Sequence, residues 1–388
     1  MSAEQTKQGP LVGLKIIEFA GIGPAPMASM LLADMGAEVI RIDRLTPSGN
    51  GISRPVRFDL LARGRQSIAL DLKQPAGINC ALELIAQADG LIEGFRPGTM
   101  EKLGLGPDTC LELNPRLAYG RLTGWGQEGP LANTAGHDIN YIALTGALDA
   151  IGRAGEAPTP PLNLIGDYGG GGLYLAYGLL CALLNAQRTG EGQVVDAAMI
   201  DGASLLMTSI IGLHGAGQHS NERGTNLLDS GAPHYEVYRC ADERYISIAP
   251  IEAKFRKQLL ELIGFEPSTF PDLSQQSNWP QAKQLFTERF AEKTRAQWCD
   301  ILDGSDACFA PVLTMGDAAQ HPHNQQRGTF IEVDGVNQPA PGPRFSRTPA
   351  GIPTPPETVG NSSVDILQRW GFSGEKIKQL STAGIINN

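Results

Sequence analysis

Basic charge is scarce in this 388-residue chain: 31 Lys and Arg stand against 41 Asp and Glu, for a formal net charge of −10. A surface of that sign is a poor partner for nucleic acid or an anionic membrane, and a polyanionic ligand would need a local cluster of cations. Cysteine is sparse and scattered. Cys80, Cys110, Cys181, Cys240, Cys299 and Cys308 include no C-x-x-C pair, so neither a zinc site nor a disulfide framework is expected, and reduced thiols are the plain reading. No uninterrupted run approaches the roughly 20 apolar residues of a membrane span, so no membrane partner is expected. MSAEQTKQGP at the start has no apolar signal core, and STAGIINN at the end has no lipidation or peroxisomal ending; the expected location is cytoplasmic. What fills the chain is 41% hydrophobic residues with 47 Gly and 27 Pro, a globular composition with length for two or three domains.

The first 120 residues alternate between short apolar runs and helical patterns. Strands are predicted at 14–19, 39–42, 67–70, 90–93 and 117–122, and helices at 27–35 and 76–88. Strands alternating with helices imply a parallel sheet with helices on its faces. The fold class is therefore α/β, with a large Rossmann-like parallel-sheet domain. A long apolar helix over 169–187 opens with four glycines, a strand follows at 194–197, and a second helix runs from 199 to about 213. The polar, Gly-rich stretch 215–233 reads as a crossing linker. Residues 235–248 alternate as a hairpin turning at 241–244, with helices at 252–263 and 281–292, making a smaller α+β domain. Proline density over 335–360 predicts an extended strap, and short helices close the chain over 363–383. The expected layout is 1–198 for the large domain, completed by 335–388. It gives 199–227 to a linker helix and crossing segment, 228–320 to the small domain and 321–334 to a return linker.

The loop GIGPAP (21–26) imitates a dinucleotide-binding turn. Gly21 and Gly23 fit G-x-G-x-x-G, and Asp43 follows Gly23 by the roughly 20 residues expected of a ribose-binding acid. The third glycine position is Pro26, however, and Pro24 and Pro26 remove two N–H donors. A tight strand-to-helix turn is favoured over NAD binding, and Arg44 beside Asp43 makes this strand end partly cationic.

Two polar residues stand out in small, apolar stretches: His137 in GHDINY (136–141) and Asp167 in NLIGDYGGGG (163–172). Ahead of four glycines and an apolar helix, Asp167 is expected at or near a helix N-terminus. Backbone N–H groups there stabilise an oxyanion, and glycines let a ligand approach the backbone. The bland alternatives are a helix N-cap for Asp167 and a satisfied core or surface histidine for His137. His321 and His323 in HPHN lack further ligands, and no metal is expected.

The segments carrying these residues resemble one family along almost the whole chain. They are GLKIIEFAGIGPAPMASMLLADMGAEVIRIDR, LIEGFRPG, LTGWGQEGP, GHDINYIALTGAL, LNLIGDYGGGG, GQVVDAAMIDG, YRCADERYISI, SDACFAPVL and FSRTP. Together they are similar to the racemase branch of the class III CoA-transferase family. The resemblance implies an interlocked homodimer, with each active site between the large domain of one subunit and the small domain of its partner. It implies that His137 and Asp167 flank the substrate α-carbon, His137 facing the (S) and Asp167 the (R) substrate. Supporting roles are implied for Asp138, Tyr141 and Glu252, the last orienting His137 or setting its protonation. For the CoA phosphates it implies Arg44, Lys73 and Arg96, with backbone contacts near Leu70, Leu72, Gly94 and Thr99 and with Tyr141 beside the substrate. Arginine suits bidentate phosphate contacts, and lysine acts as a point charge.

The chemistry is consistent with that resemblance. Inverting the α-carbon of a 2-methylacyl thioester needs one base to remove a proton and an acid on the other face to return one. Each partner is worth about 10²–10⁴-fold. Burial should raise the pKa of Asp167 against the effect of a helix N-terminus. The expected activity is cofactor-free interconversion of (R)- and (S)-2-methylacyl-CoA by 1,1-proton transfer through an enolate, with acyl-CoA as substrate. Met27, Met199 and Met207 are candidates for an apolar surface under the acyl tail, helix core being their more ordinary role. The rivals are a CoA-transferase using Asp167 as nucleophile, an acyl-CoA-binding scaffold and an NAD-dependent oxidoreductase.

Overall fold

Runs rich in Ile, Leu, Val and Ala fold into six parallel strands: β1 (Lys15–Phe19), β2 (Glu38–Asp43), β3 (Gln66–Ala69), β4 (Gly90–Glu93), β5 (Ala118–Thr123) and β6 (Gln193–Ala198). Their order in the sheet is β3-β2-β1-β4-β5-β6. This computed structural model describes residues 7–46, 49 and 51–387. Residues 1–6 and 388, which the expected large domain includes, lie outside the described residues.

Every residue of β4 and β5 is buried, because helices cover both faces of the sheet. Ile17, Phe19, Ile40, Ile42 and Leu91 pack on one face with Leu84 of the Pro75–Ile85 helix and with Ile366, Leu367, Ile377 and Leu380 of the C-terminal helices. Ile16, Val39, Ile92 and Ala118 pack on the other, against Ala28 and Leu32 of the Pro24–Asp34 helix and Leu175, Leu179 and Leu183 of the Leu173–Thr189 helix. The C-terminal strap is tied to the edge strand β3. Gly360 donates to Ser67 Oγ at 2.8 Å, Ser362 N donates to Ser67 O at 3.1 Å, and Arg63 joins Asp34 to Gln338 and Pro339 O.

The chain divides into two compact units. The described residues up to Thr145, Leu162–Leu206 and the residues from Gly328 onward form one; Gly146–Pro161 and Met207–Arg327 form the other. These limits differ from the expected 1–198, 199–227, 228–320 and 321–334. The Met199–Leu206 helix belongs to the sheet unit because Gly202 lies on Gly170, whose carbonyl oxygen would be 1.9 Å from any Cβ added at 202. The 146–161 segment belongs to the smaller unit, where Arg153 meets Glu236 at 2.5 Å and Arg223 donates to Asp149 O and Glu156 O at 2.6 Å. The expected linker over 215–233 is a folded turn. The Asp229 carboxylate accepts from the N–H groups of Gly224, Asn226 and Gly231 and from the Asn226 side chain.

In the smaller unit β7 (Glu236–Arg239), β8 (Tyr245–Ile248) and β9 (Phe309–Pro311) form an antiparallel sheet. One face is covered, so Tyr238, Ile246 and Ile248 pack with Leu259, Phe286, Phe290 and Trp298 of its helices.

Residues 164–189 form one continuous helical stretch of 26 residues that contains an 18-residue window of mean hydropathy 1.3, long and apolar enough by composition to cross a membrane. Glycine and tyrosine interrupt its aliphatic residues, so scanning for an uninterrupted run misses it. Half of that window is buried. The first part of the stretch, Leu164–Gly172, is a π-helix, and Leu173–Thr189 continues as an α-helix.

Candidate active site

In a doubly wound sheet of this order the chain reverses its direction of winding between β1 and β4, and the loops after those strands part to leave a crevice. The Gly21–Gly23 turn follows β1. It differs from the expected loop over 21–26, because Pro24 and Pro26 stand inside the first turn of the Pro24–Asp34 helix, where missing N–H groups cost nothing. Gly23 has φ 73°, a conformation that needs glycine. Gly94 follows β4 and lies against this helix start, with Ala25 Cβ 3.2 Å from where its own Cβ would be.

The Asp167 carboxyl faces this turn. Its Oδ2 is 3.5 Å from the position of a Cβ on Gly23 and accepts a hydrogen bond from Asn163 Nδ2 at 3.0 Å. The Asp167 N–H donates to Asp138 Oδ2 at 2.7 Å. Asp138 is 6% exposed, and its second oxygen is buried without a hydrogen-bond partner. The half-buried Asp167 carboxyl is pushed above the usual carboxylate range, chiefly by burial. The Asn163 hydrogen bond opposes this, the Asp138 charge adds to it and His137 opposes it. Burial therefore outweighs the charge-stabilising contacts.

His137 is exposed at the N-cap of the Asp138–Ala143 helix, and its N–H donates to Asn140 Oδ1 at 3.0 Å. Tyr141 holds this loop closed. Its hydroxyl donates to Gly136 O, its ring lies edge-on to Trp125 with centroids 4.8 Å apart, and Gly124 leaves room for it. Such a ring pair adds about 0.5–1.5 kcal/mol to the burial. The Tyr141 hydroxyl proton is thus engaged within the protein. The phenol is also within electrostatic reach of Asp167, Arg96 and Asp138, and burial leads the rise in its pKa. His137, Asp138, Tyr141, Arg96 and Asp167 therefore form one neighbourhood.

The other residues expected to bind CoA cluster at the same end of the sheet. Arg44 follows β2, Leu70, Leu72 and Lys73 follow β3, and Gly94, Arg96 and Thr99 follow β4. Arg44, Lys73, Gly94 and Arg96 are exposed, whereas Leu70 is 1% exposed and offers a ligand only its backbone. At a strand spacing of about 4.8 Å, the ends of β3 and β4 lie about 14 Å apart. Glu93 anchors the β4 loop: one oxygen accepts from Phe95 N–H at 2.7 Å, and the other from Arg121 Nε at 2.8 Å. Asp43 does not face a ligand, since its Oδ2 accepts from Arg41 Nε at 2.7 Å and from Ser67 Oγ at 2.6 Å. Glu252 begins the Ala253–Leu262 helix of the smaller unit, exposed.

The four glycines do something other than expected. A Cβ on Gly170 would be 2.5 Å from Ala203 N, one on Gly171 2.9 Å from Met199 Cγ, and one on Gly172 2.8 Å from Met27 Cγ. They seat the π-helix on the 24–34 and 199–206 helices, and Gly170, Gly171 and Gly172 are buried. They do not open the backbone to a ligand. Met27 and Met199 flank the buried glycines, and Met199 is 7% exposed. Among the described residues no group of three or more His, Cys, Asp or Glu side chains is placed to hold a metal ion. Asn163 escaped the sequence reading, although its position four residues before Asp167 in a helical stretch was a usable signal.

A doubly wound parallel sheet thus carries a histidine and a raised-pKa carboxyl in one neighbourhood, with Arg44, Lys73 and Arg96 exposed on the loops that follow its strands. The sequence matches CoA-transferase family III over residues 11–363, and the chain belongs to that family. It is 44% identical to the alpha-methylacyl-CoA racemase of Mus musculus and 43% identical to that of Homo sapiens, in each case over 97% of this chain and 98% of the relative. The crystal structure of a CaiB/BaiF family protein from Brucella suis superposes with a TM-score of 0.80 at 24% identity, covering 94% of this chain and 100% of that one, which supports the fold.

Proposed function

We propose that this protein is a racemase that interconverts (R)- and (S)-2-methylacyl-CoA thioesters without a cofactor. The observation that carries the proposal is the pairing of His137 with a carboxyl held above its usual range, Asp167, at the carboxyl end of the sheet. In one direction Asp167 takes the α-proton of the (R) substrate. The C–H electron pair moves into the bond to the thioester carbon, the carbonyl oxygen becomes the enolate oxygen, and His137 returns a proton from the opposite face. The reverse reaction exchanges the two roles. A raised pKa keeps a larger share of Asp167 protonated near neutral pH, as an acid requires. Arg44, Lys73 and Arg96 would meet the CoA phosphates, and Glu252 of a partner subunit would orient His137. The homodimer belongs to the same proposal. Leu173, Tyr177, Leu180 and Leu184 leave an apolar stripe 52%, 67%, 37% and 57% exposed along one helix, a face that a second copy would cover.

The test is incubation of one enantiomer of a 2-methylacyl-CoA in D₂O with no added acid or cofactor. Deuterium at the α-carbon together with inversion is expected, and His137→Ala and Asp167→Ala should each lose inversion by about 10²-fold or more. Full racemisation by either variant overturns the two-base assignment. Activity only with an added carboxylic acid acceptor would instead identify a transferase with Asp167 as nucleophile.

A further inference from the structure

The loop that carries Arg96 is tied at both ends to one side chain. Glu93 closes β4, and in the parallel register of β4 and β5 it stands opposite Arg121. Residues opposite each other on neighbouring strands present their side chains to the same face. Arg121 Nε accordingly donates to Glu93 Oε1 at 2.8 Å. The other Glu93 oxygen accepts from Phe95 N–H at 2.7 Å, at the start of the loop. Beyond the loop Glu101 lies in the Thr99–Lys102 helix. Its carboxyl accepts from Arg121 Nη1 at 2.8 Å and from Nη2 at 3.3 Å. Tyr119, on the same face of β5, donates its hydroxyl to Leu105 O at 2.9 Å and steadies the turn after that helix. Between the two glutamates, Gly94 and Gly98 flank Phe95, Arg96 and Pro97; Gly98 has φ 79°, and Arg96 is exposed.

We propose that Arg121 is a positioning residue for the ligand. By bonding Glu93 before the loop and Glu101 after it, Arg121 holds residues 94–99 in the shape that presents Arg96 to a CoA phosphate. This inference rests on the reading above that Arg96 meets CoA. A guanidinium suits the task because its planar fork fixes the angle between two carboxylates, which an ammonium does not. A loop fixed before the ligand arrives spares binding the cost of ordering it.

The two carboxylates stand differently toward solvent. The Glu93 side chain is 1% exposed, so it needs the arginine in order to be buried at all. The Glu101 side chain is 45% exposed, and water could serve it equally well. Its bonds to Arg121 therefore do little for the core and much for the place where the Thr99–Lys102 helix begins. The same exposure separates positioning from folding. Glu101→Ala cuts the far tie, leaves Arg121 paired with Glu93 and strands no buried charge.

The experiment compares the full-length protein with Glu101→Ala, Arg121→Lys, Arg96→Ala and the double variant of Arg96→Ala with Glu101→Ala. The readouts are the Kd of free CoA by calorimetry, kcat and KM for inversion, and amide hydrogen exchange over 95–99 without ligand. Glu101→Ala should raise Kd and KM about tenfold, with kcat within about twofold and faster exchange at 95–99. Arg121→Lys should act in the same direction; if it does not fold, Glu101→Ala carries the test. On top of Arg96→Ala, Glu101→Ala should add less than about twofold, because the tie acts through Arg96. Unchanged CoA affinity in Glu101→Ala overturns the inference, as does a further tenfold loss on top of Arg96→Ala or a fall in kcat alone. If the wild type binds CoA without inverting substrate, the racemase reading falls while the Kd values still decide the role of Arg121. If the wild type binds no CoA, this inference falls with the CoA reading.

Discussion

The two units solve the same packing problem with different residues. In the sheet unit the core is aliphatic and encloses charge: Glu18 with Arg65, Asp34 with Arg63, and Glu93 with Arg121. In the smaller unit the core is aromatic, with Phe270 stacked on Phe286 at 5.1 Å and Phe290 edge-on to Trp298 at 5.2 Å. Its buried polar side chains are few, His234 and Glu236 among them. A parallel sheet covered on both faces buries the whole of its central strands, and side chains at strand ends bring charge in with them. A short antiparallel sheet covered on one face buries only alternate residues, so each must be large. Glu18 and Glu93 lie toward the carboxyl ends of β1 and β4, whereas Asp34 ends the Pro24–Asp34 helix and Arg63 ties it to Gln338. In the smaller unit the buried Glu236 pairs with Arg153 and Lys283.

Three measurements press on that contrast. The largest effect is expected for Phe286→Ala, which opens a cavity among Tyr238, Phe265, Phe270 and Phe290. It should cost about 3–5 kcal/mol in chemical denaturation. A loss below about 1 kcal/mol would mean that the aromatic cluster does not carry the smaller unit.

Arg65→Met should cost about 3 kcal/mol, the lower end for breaking a buried pair. Glu18 then loses its hydrogen-bonded partner, and burial, already the main cause raising its pKa, is opposed only by the more weakly acting Arg41. The folded variant holds that proton where the unfolded chain releases it. The deficit should therefore grow as pH rises above the ordinary glutamate range, about 4.3. Glu18→Leu combined with Arg65→Met should recover most of the loss. If the double variant is as weak as the single one, the enclosed charge is a packing necessity and not an interchangeable pair.

The smallest effect concerns His234, which is 3% exposed with Nδ1 unpartnered and its pKa lowered to about 4 by burial and by Arg256. The fold favours the neutral ring. Stability from this group is present above about pH 6.5 and is lost as pH falls from there toward about 4. His234→Phe, which retains an edge-on ring beside Trp279, should remove an acid-side loss on the order of 2 kcal/mol. The check is the difference in thermal unfolding between variant and wild type at pH 7 and pH 4.5; an equal difference at both would show that the ring does not titrate with folding.

Much of this was legible before any coordinates. The runs at 14–19 and 90–93 read as buried strands and are strands, since a strand enclosed on both faces has no polar side to obscure the signal. The alternation over 235–248 read as a hairpin for the opposite reason. His137 and Asp167 stood out as polar residues in small, apolar stretches. The four glycines were misread. Their role depends on what lies against them, here the Met199–Leu206 and Pro24–Asp34 helices, and a sequence does not display that. The prolines of GIGPAP read as loop because proline marks both loops and first helical turns. The 215–233 stretch was taken for a linker because a turn built on one carboxylate, Asp229, has the composition of an open loop.

Residue pattern alone settled the α/β class and most strand positions, because periodic burial is a local property. Which strands adjoin, where the winding reverses, that Asn163 and Gly23 meet the Asp167 carboxyl, and that burial outweighs its hydrogen bond were decided by tertiary structure. Those outcomes depend on distances between segments far apart in the chain, and electrostatics and close packing respond to distance, not to order along the sequence.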